Sequence, residues 1–342
     1  MRHSTAVISV APMMDWTDRH CRYFMRMLSP GAILYTEMVT AAAIVHGDAD
    51  RFLRYHEAEH PIALQLGGSD ADWMAQAAAR ASEYGYDEIN INVGCPSDRV
   101  QSGQFGACLM AQPDIVAGCF TAMQRETDAP VTVKTRIGID DNDDDVFLRT
   151  FVDALVAAGC RKFIVHARIA ILEGLSPKEN RTIPPLNYER VYRLKRDFPG
   201  VEIVINGGLT DSAQVDEVLR HVDGAMIGRE AYHRPYFLAE LEQRFDSTWT
   251  IPSRAEVVET MIPYIDRQLA NGVALNSISR HMLGLFTGCP GARAWRRYIS
   301  EHAHRAGAGS EVLINALNAM PPMPRADTMH GPVTQRQDEV SQ

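Results

Sequence analysis

Short apolar runs rich in β-branched residues recur along the first two thirds of the chain, each followed by a stretch with helical spacing. They are AVISVAPM at 6–13, AILYTEMV at 32–39, PIALQLGG at 61–68, EININ at 88–92, VTVKTRIG at 131–138, KFIVHAR at 162–168, VEIVINGG at 201–208 and GAMIGR at 224–229. Between them lie helical patterns such as 70–84, 146–158 and 211–219. The runs are almost continuously hydrophobic, which suits parallel strands covered on both faces, whereas half-solvated strands alternate. Eight such βα units predict a (β/α)₈ TIM barrel. A doubly wound parallel sheet is the alternative, and no G-x-G-x-x-G turn supports it. After Arg229 the rhythm changes: from about Ser253 to Leu317 the pattern is helical with no strand, broken near Gly288-Cys289-Pro290-Gly291. Beyond Met320 the chain is Pro-rich and polar, with too few apolar residues to pack. The expected class is therefore α/β, with a barrel over 1–245, a small all-helical C-terminal domain over 250–320, and a flexible tail over 321–342.

With 342 residues and 46% hydrophobic content, the chain is long enough for this arrangement. Its formal net charge of -9 excludes a generally basic nucleic-acid coat, so any RNA contact must be a local patch. Six scattered cysteines contain no C-x-x-C pair, which signals neither a zinc knuckle nor a disulfide scaffold. No basic-then-apolar leader and no membrane-length apolar run are present, so a cytoplasmic protein is expected, with no membrane partner. A monomer is the expected state.

A barrel carries its functional side chains at the C-terminal ends of its strands, and here those ends are polar. In turn they bear Pro12-Met13-Met14, Glu37, Gln65, Asn90 and Asn92 leading to Cys95, Lys134 and Arg136, His166 and Arg168, Asn206-Gly207-Gly208, and Gly228-Arg229. Any one of them alone is as well explained by loop backbone that needs a partner. Together they make a site. The Gly-containing ends of the seventh and eighth strands are where barrels commonly hold a phosphate on backbone N–H groups, although tight βα turns also use glycine there.

Ile89-Asn90-Ile91-Asn92-Val93-Gly94-Cys95-Pro96-Ser97, followed by Gly103-Gln104-Phe105-Gly106-Ala107, is the most specific stretch. With APMMDWTDR (11–19), LQLGG (64–68), VKTRIG (133–138), HAR (166–168), NGG (206–208), GR (228–229) and GARAWRR (291–297) in this order, it closely resembles the tRNA-dihydrouridine synthase family. The likeness covers nearly all but the tail and is nearest to the A-type branch, which acts in the tRNA D-loop at positions 20/20a. It implies FMN over the barrel mouth: Pro12, Met13 and Met14 near the ring, Gln65, Lys134 and His166 on the ring or ribityl side, and Asn206, Gly207, Gly208, Gly228 and Arg229 at the phosphate. Lys134 would stabilise the negative charge of a reduced flavin. The resemblance also implies NADPH as reductant and uridine as hydride acceptor.

Hydride addition at C6 of uracil leaves an enolate that must be protonated at C5. A thiol of ordinary pKa, about 8.5, is mostly protonated at neutral pH and serves as the acid, which assigns the role to Cys95. The other cysteines read as buried structural residues. Asn92 is assigned to the substrate side, with an Asn-capped turn as the alternative. From Asn276 to Arg305 five arginines (280, 293, 296, 297 and 305) face one acid, Glu301, and Arg293 and Arg296 lie three apart on one helix face. They are expected to meet tRNA phosphates. Lys178 and Arg181, in the long loop after the sixth strand, resemble the branch's substrate-reading positions.

Two other patterns point elsewhere. His56-Glu57-Ala58-Glu59-His60 matches H-x-x-E-H, but Pro61 follows at once and disfavours the helix such zinc geometry needs. The acidic run 140–145 lacks the glycine and terminal glutamate of a calcium loop and reads as helix capping. No metal is expected. Rival functions are an FMN reductase of free pyrimidines, a barrel lyase or isomerase using Lys134, and a non-catalytic RNA-binding protein.

Overall fold

The computed structural model describes residues 6–97 and 105–321. Eight strands, β1 Val7–Val10, β2 Ile33–Thr40, β3 Ile62–Gly67, β4 Glu88–Val93, β5 Val131–Arg136, β6 Lys162–His166, β7 Glu202–Asn206 and β8 Gly224–Ile227, form a closed parallel barrel in chain order, with β8 pairing back onto β1. Each strand lies within a run marked out by hydrophobicity, except that β2 and β4 extend one residue further. The helical patterns form Ala71–Ser82, Asp145–Ala157 and Ser212–Val218. Each is capped by an aspartate: Asp70, Asp144 and Asp211 accept from the backbone N–H of Trp73, Phe147 and Gln214 at 2.9, 2.7 and 2.9 Å.

Strand side chains alternate between two environments. One phase, including Leu64, Leu66, Ile89, Ile91, Val133, Phe163, Val165, Ile203 and Ile205, is buried and mostly apolar, with Thr135 a polar exception. The other phase runs Ala63-Gln65 on β3, Glu88-Asn90-Asn92 on β4, Thr132-Lys134-Arg136 on β5, Lys162-Ile164-His166 on β6 and Glu202-Val204-Asn206 on β7. Register aligns these residues strand to strand. Ala11, Tyr35, Ala63, Ile164, Val204 and Met226 form an apolar cluster in this second phase. At the strands' N-terminal end, Glu88 accepts from the hydroxyls of Tyr35 and Thr132, and its other oxygen is 2.9 Å from the Lys162 ammonium, which also reaches Glu202 at 3.2 Å.

The chain divides into two compact units, 1–251 and 252–342. In the second, helices Arg254–Ala270, Leu275–Ser279, Ala292–His302 and Glu311–Asn318 surround Met261, Ile265, Phe286, Trp295, Ile299 and Leu313. Ser253 and Glu256 form a reciprocal capping box at the first of them. Trp295 is fully buried, and its indole N–H donates to Met282 O at 3.0 Å. Among the described residues no helix is long and apolar enough to cross a membrane. The proposed tail beyond 321 lies outside the described residues.

The two distracting patterns resolve locally. Glu59 sits in a single 3₁₀ turn, Glu57–Glu59, and forms a buried ion pair with Arg22 at 2.7 Å, while His60 pairs with Asp87 at 2.7 Å. In the acidic run Asp144 is a helix cap and Asp145 pairs with Arg190 and Arg193.

Candidate active site at the barrel mouth

Cys95 follows β4 in a turn built by Asn92. The Asn92 Oδ1 accepts from the N–H groups of Gly94 and Cys95 at 3.1 and 3.0 Å, and its amide nitrogen donates to Gln65 Oε1 at 2.8 Å. Gln65 in turn donates to Asn90, which donates to Thr132, at 2.9 and 2.8 Å. This chain of amides spans three strands and locks the turn, because every link is buried and each lost bond would leave a polar group without water. The Cys95 thiol is half-buried and lies 3.4 Å from Ser97 Oγ. The carbonyl of Cys95 accepts from Ala107 N–H, which ties it to the next short helix, Gly106–Ala111. Gly103 and Gln104 of the neighbouring motif lie outside the described residues.

Across the mouth stand cations. Lys134 donates to Asn206 Oδ1 at 3.2 Å, and burial first, then the nearby Arg136 guanidinium, push its pKa down to about 7. Burial also lowers Arg136, to about 10, and pushes His166 well below the ordinary imidazole range, helped by Arg136 and Lys134. His166 is thus a neutral ring at physiological pH. Arg168 and Arg181 are lowered by burial and by Arg229, whose guanidinium donates to Arg181 O at 3.2 Å. Among the described residues no carboxylate forms an ion pair with any of these six groups.

Asn206 Nδ2 donates to Met226 O at 2.9 Å, which fixes the junction of β7 and β8. Gly207 and Gly208 follow with φ of 115° and 72°, conformations that side chains resist. A Cβ on Gly207 would lie 2.7 Å from His166 Cδ2, and one on Gly208 would lie 2.5 Å from Leu186. A Cβ on Gly228 would meet only Asn206 Nδ2, in ordinary contact at 3.9 Å. Among the described residues no acceptor takes the backbone N–H of Gly207, Gly208 or Gly228. Free N–H groups, the Arg229 guanidinium and the Arg168 Nε, which is buried without a partner, form a donor set that fits an anionic, phosphorylated cofactor.

The other residues singled out in the sequence divide between the mouth and elsewhere. Met13 packs on the apolar cluster and Pro12 is half-buried, whereas Met14 is 56% exposed. Arg181 lies close enough to feel Cys95 and Arg229. Lys178 is exposed at the start of the 3₁₀ turn Glu179–Arg181, and its carbonyl accepts from the Arg181 N–H at 3.1 Å. Arg293 and Arg296 are exposed on helix Ala292–His302 of the second unit, and neither forms an ion pair among the described residues. Sequence reasoning noted Arg136 and Arg168 only as strand ends. Their hydrogen-bond partners come from distant loops, so no local pattern announces them.

The fold and its mouth define a (β/α)₈ barrel whose strand ends gather a thiol, cations and a donor set suited to an anionic group. The family model described as dihydrouridine synthase (Dus) matches residues 9–320. The chain belongs to the dihydrouridine synthase family, flavin-dependent oxidoreductases. It is 60% identical over 306 residues to the tRNA-dihydrouridine(20/20a) synthase of Shewanella oneidensis, covering 89% of this chain and 91% of that protein. The protein of the same name from Escherichia coli K12 is 57% identical over 317 residues, covering 92% of each chain. Among solved structures, a morphinone reductase variant in complex with tetrahydroNAD shares the fold, with TM-score 0.50 and 13% identity over 70% of this chain and 87% of that one.

Proposed function

We propose that this protein reduces uridine to 5,6-dihydrouridine in tRNA, at the 20/20a positions that its relatives' names carry. The observation that carries the reading is the pairing of a turn-locked thiol, Cys95, with a mouth lined by cations that have no acid partners among the described residues. FMN, when bound, supplies the hydride, and NADPH restores it. Backbone N–H groups of Gly207, Gly208 and Gly228 with Arg229 would hold its phosphate, while Pro12, Met13, Met14, Gln65, Lys134 and His166 would bound the ring and ribityl side. Lys134 contributes positive charge where the cofactor becomes anionic, and the neutral His166 offers a hydrogen bond without adding charge.

The uracil must be turned out of its RNA stack to reach this depth. Once C6 has received hydride, the electron pair of the resulting enolate forms the C5–H bond. The Cys95 S–H bond breaks, and sulfur keeps its pair. Asn92 acts by holding the Cys95 turn. Arg181 and Lys178 meet the substrate from the loop after β6, and Arg293 and Arg296 meet RNA phosphates. Dihydrouridine mapping in tRNA from a strain lacking this gene tests the reading: the modification should disappear at 20/20a and return with the intact chain. A tRNA unchanged by the deletion would contradict it.

A further inference from the structure

Arg136 is 3% exposed, yet no carboxylate pairs with it among the described residues. Its guanidinium donates instead to carbonyls on three separate segments: Nε to Gly94 O at 3.1 Å, and Nη1 to Ile169 O at 3.0 Å and Asn180 O at 2.9 Å. Neutral donors satisfy carbonyls as well, and a buried charge without a counter-ion is costly. That cost calls for an anion. Among the described residues the charged and titratable groups that bear on Arg136 are Cys95, Arg181, Arg168, Lys134 and His166. Only the thiol of Cys95 can become negative.

We propose that Arg136 is the positioning residue for Cys95: it fixes the cysteine turn through Gly94 and is the counter-ion for the thiolate left after Cys95 protonates the substrate. The inference rests on Cys95 as the proton donor. In that step the S–H bond breaks, the C5–H bond forms, the enolate pair becomes that bond, and the sulfur pair stays beside the guanidinium. Water returns a proton to sulfur before the next cycle. Lys134 on β5 and Arg181 in the loop after β6 also face Cys95. Lys134 loses its charge at about 7, so across the range in which thiols ionise Arg136 is the more persistent cation on the strand. The same fork holds the Asn180 carbonyl, and the Asn180 amide holds Ile171, so the segment leading to Arg181 is anchored to the cysteine turn.

The test is the pH profile of iodoacetamide alkylation at Cys95, read by peptide mass spectrometry on the flavin-loaded protein, for the parent, Arg136→Gln and Arg136→Lys. Thiolate is the reacting form. In Arg136→Gln the midpoint should move to higher pH and alkylation at neutral pH should fall several-fold, while Arg136→Lys keeps the parent midpoint. An unchanged midpoint in Arg136→Gln, with or without a faster plateau, would mean that Arg136 only braces the backbone, and overturns the proposal. Should Arg136→Gln fail to fold, the Arg136 Nε–H resonance of the parent decides. It must move with the Cys95 alkylation midpoint, and the movement must vanish in Cys95→Ala; a flat resonance overturns the proposal. Single-turnover product formation by Cys95→Ala separates the two claims, because its persistence refutes the proton donor whatever Arg136 does.

Discussion

The two ends of the barrel use the same strands and similar residues to opposite effect. At the base, Lys162 is sandwiched between Glu88 and Glu202, and Glu88 also takes the hydroxyls of Tyr35 and Thr132. Burial works against the Lys162 charge, but the two carboxylates outweigh it and hold its pKa above the ordinary value. At the mouth, two to four residues further along β5 and β6, Lys134, Arg136 and His166 lack such partners among the described residues and are all shifted away from the charged form. Charges that neutralise one another serve the fold. Charges left unmatched in a cleft mark the place where something anionic is expected.

Exchanging single residues at each end sharpens this contrast. Cys95→Ala should leave NADPH-driven flavin bleaching intact and slow single-turnover product formation by about a hundredfold or more, as loss of a positioned acid does. Equal rates in parent and variant would break the assignment of the mouth. At the base, Glu88→Gln removes one partner of a buried ion pair and should cost about 3 kcal/mol in denaturant unfolding, with turnover per folded molecule unchanged. A variant equally stable but slower would mean that the base reaches into the chemistry.

A smaller effect is expected from the second unit. Arg293→Glu with Arg296→Glu should weaken tRNA binding by about tenfold and reduce the salt slope by about two phosphate contacts, without altering flavin bleaching. Equal affinities and slopes would turn that helix face to solvent. The smallest effect concerns pH. Between about 7 and the ordinary lysine value of 10.5, the folded chain binds fewer protons at Lys134 than the unfolded chain, so this group makes stability rise with pH across that window. An anionic cofactor reverses the preference, so FMN binding should take up a proton. Its affinity should fall several-fold from pH 7 to 9 in parent protein, and isothermal titration of Lys134→Met should show no such fall.

The strands were legible because burial on both faces demands long apolar runs, and the helix starts because Asp70, Asp144 and Asp211 sit where an N-cap belongs. The polar strand ends announced a site before any contact was known. What sequence could not carry were partnerships between distant segments: for Asn92 it left a substrate contact and a capped turn both open, and it gave no sign of the bond from the Asn92 amide to Gln65. Arg136 reads as one more strand-end cation until its three carbonyls, from residues 94, 169 and 180, are known. Helix Arg19–Arg26 also escaped the periodic pattern, because Arg22 and Arg26 are buried polar residues whose partners lie around Glu59 and Pro61.

The central claim is tested most directly by incubating the purified, flavin-loaded chain with NADPH and an unmodified tRNA transcript, then locating added hydrogen by mass spectrometry of nuclease fragments. The account predicts NADPH oxidation that depends on tRNA, with one hydride and one proton gained by a D-loop uridine at 20/20a. NADPH oxidation indifferent to tRNA, with every uridine unchanged, would contradict it.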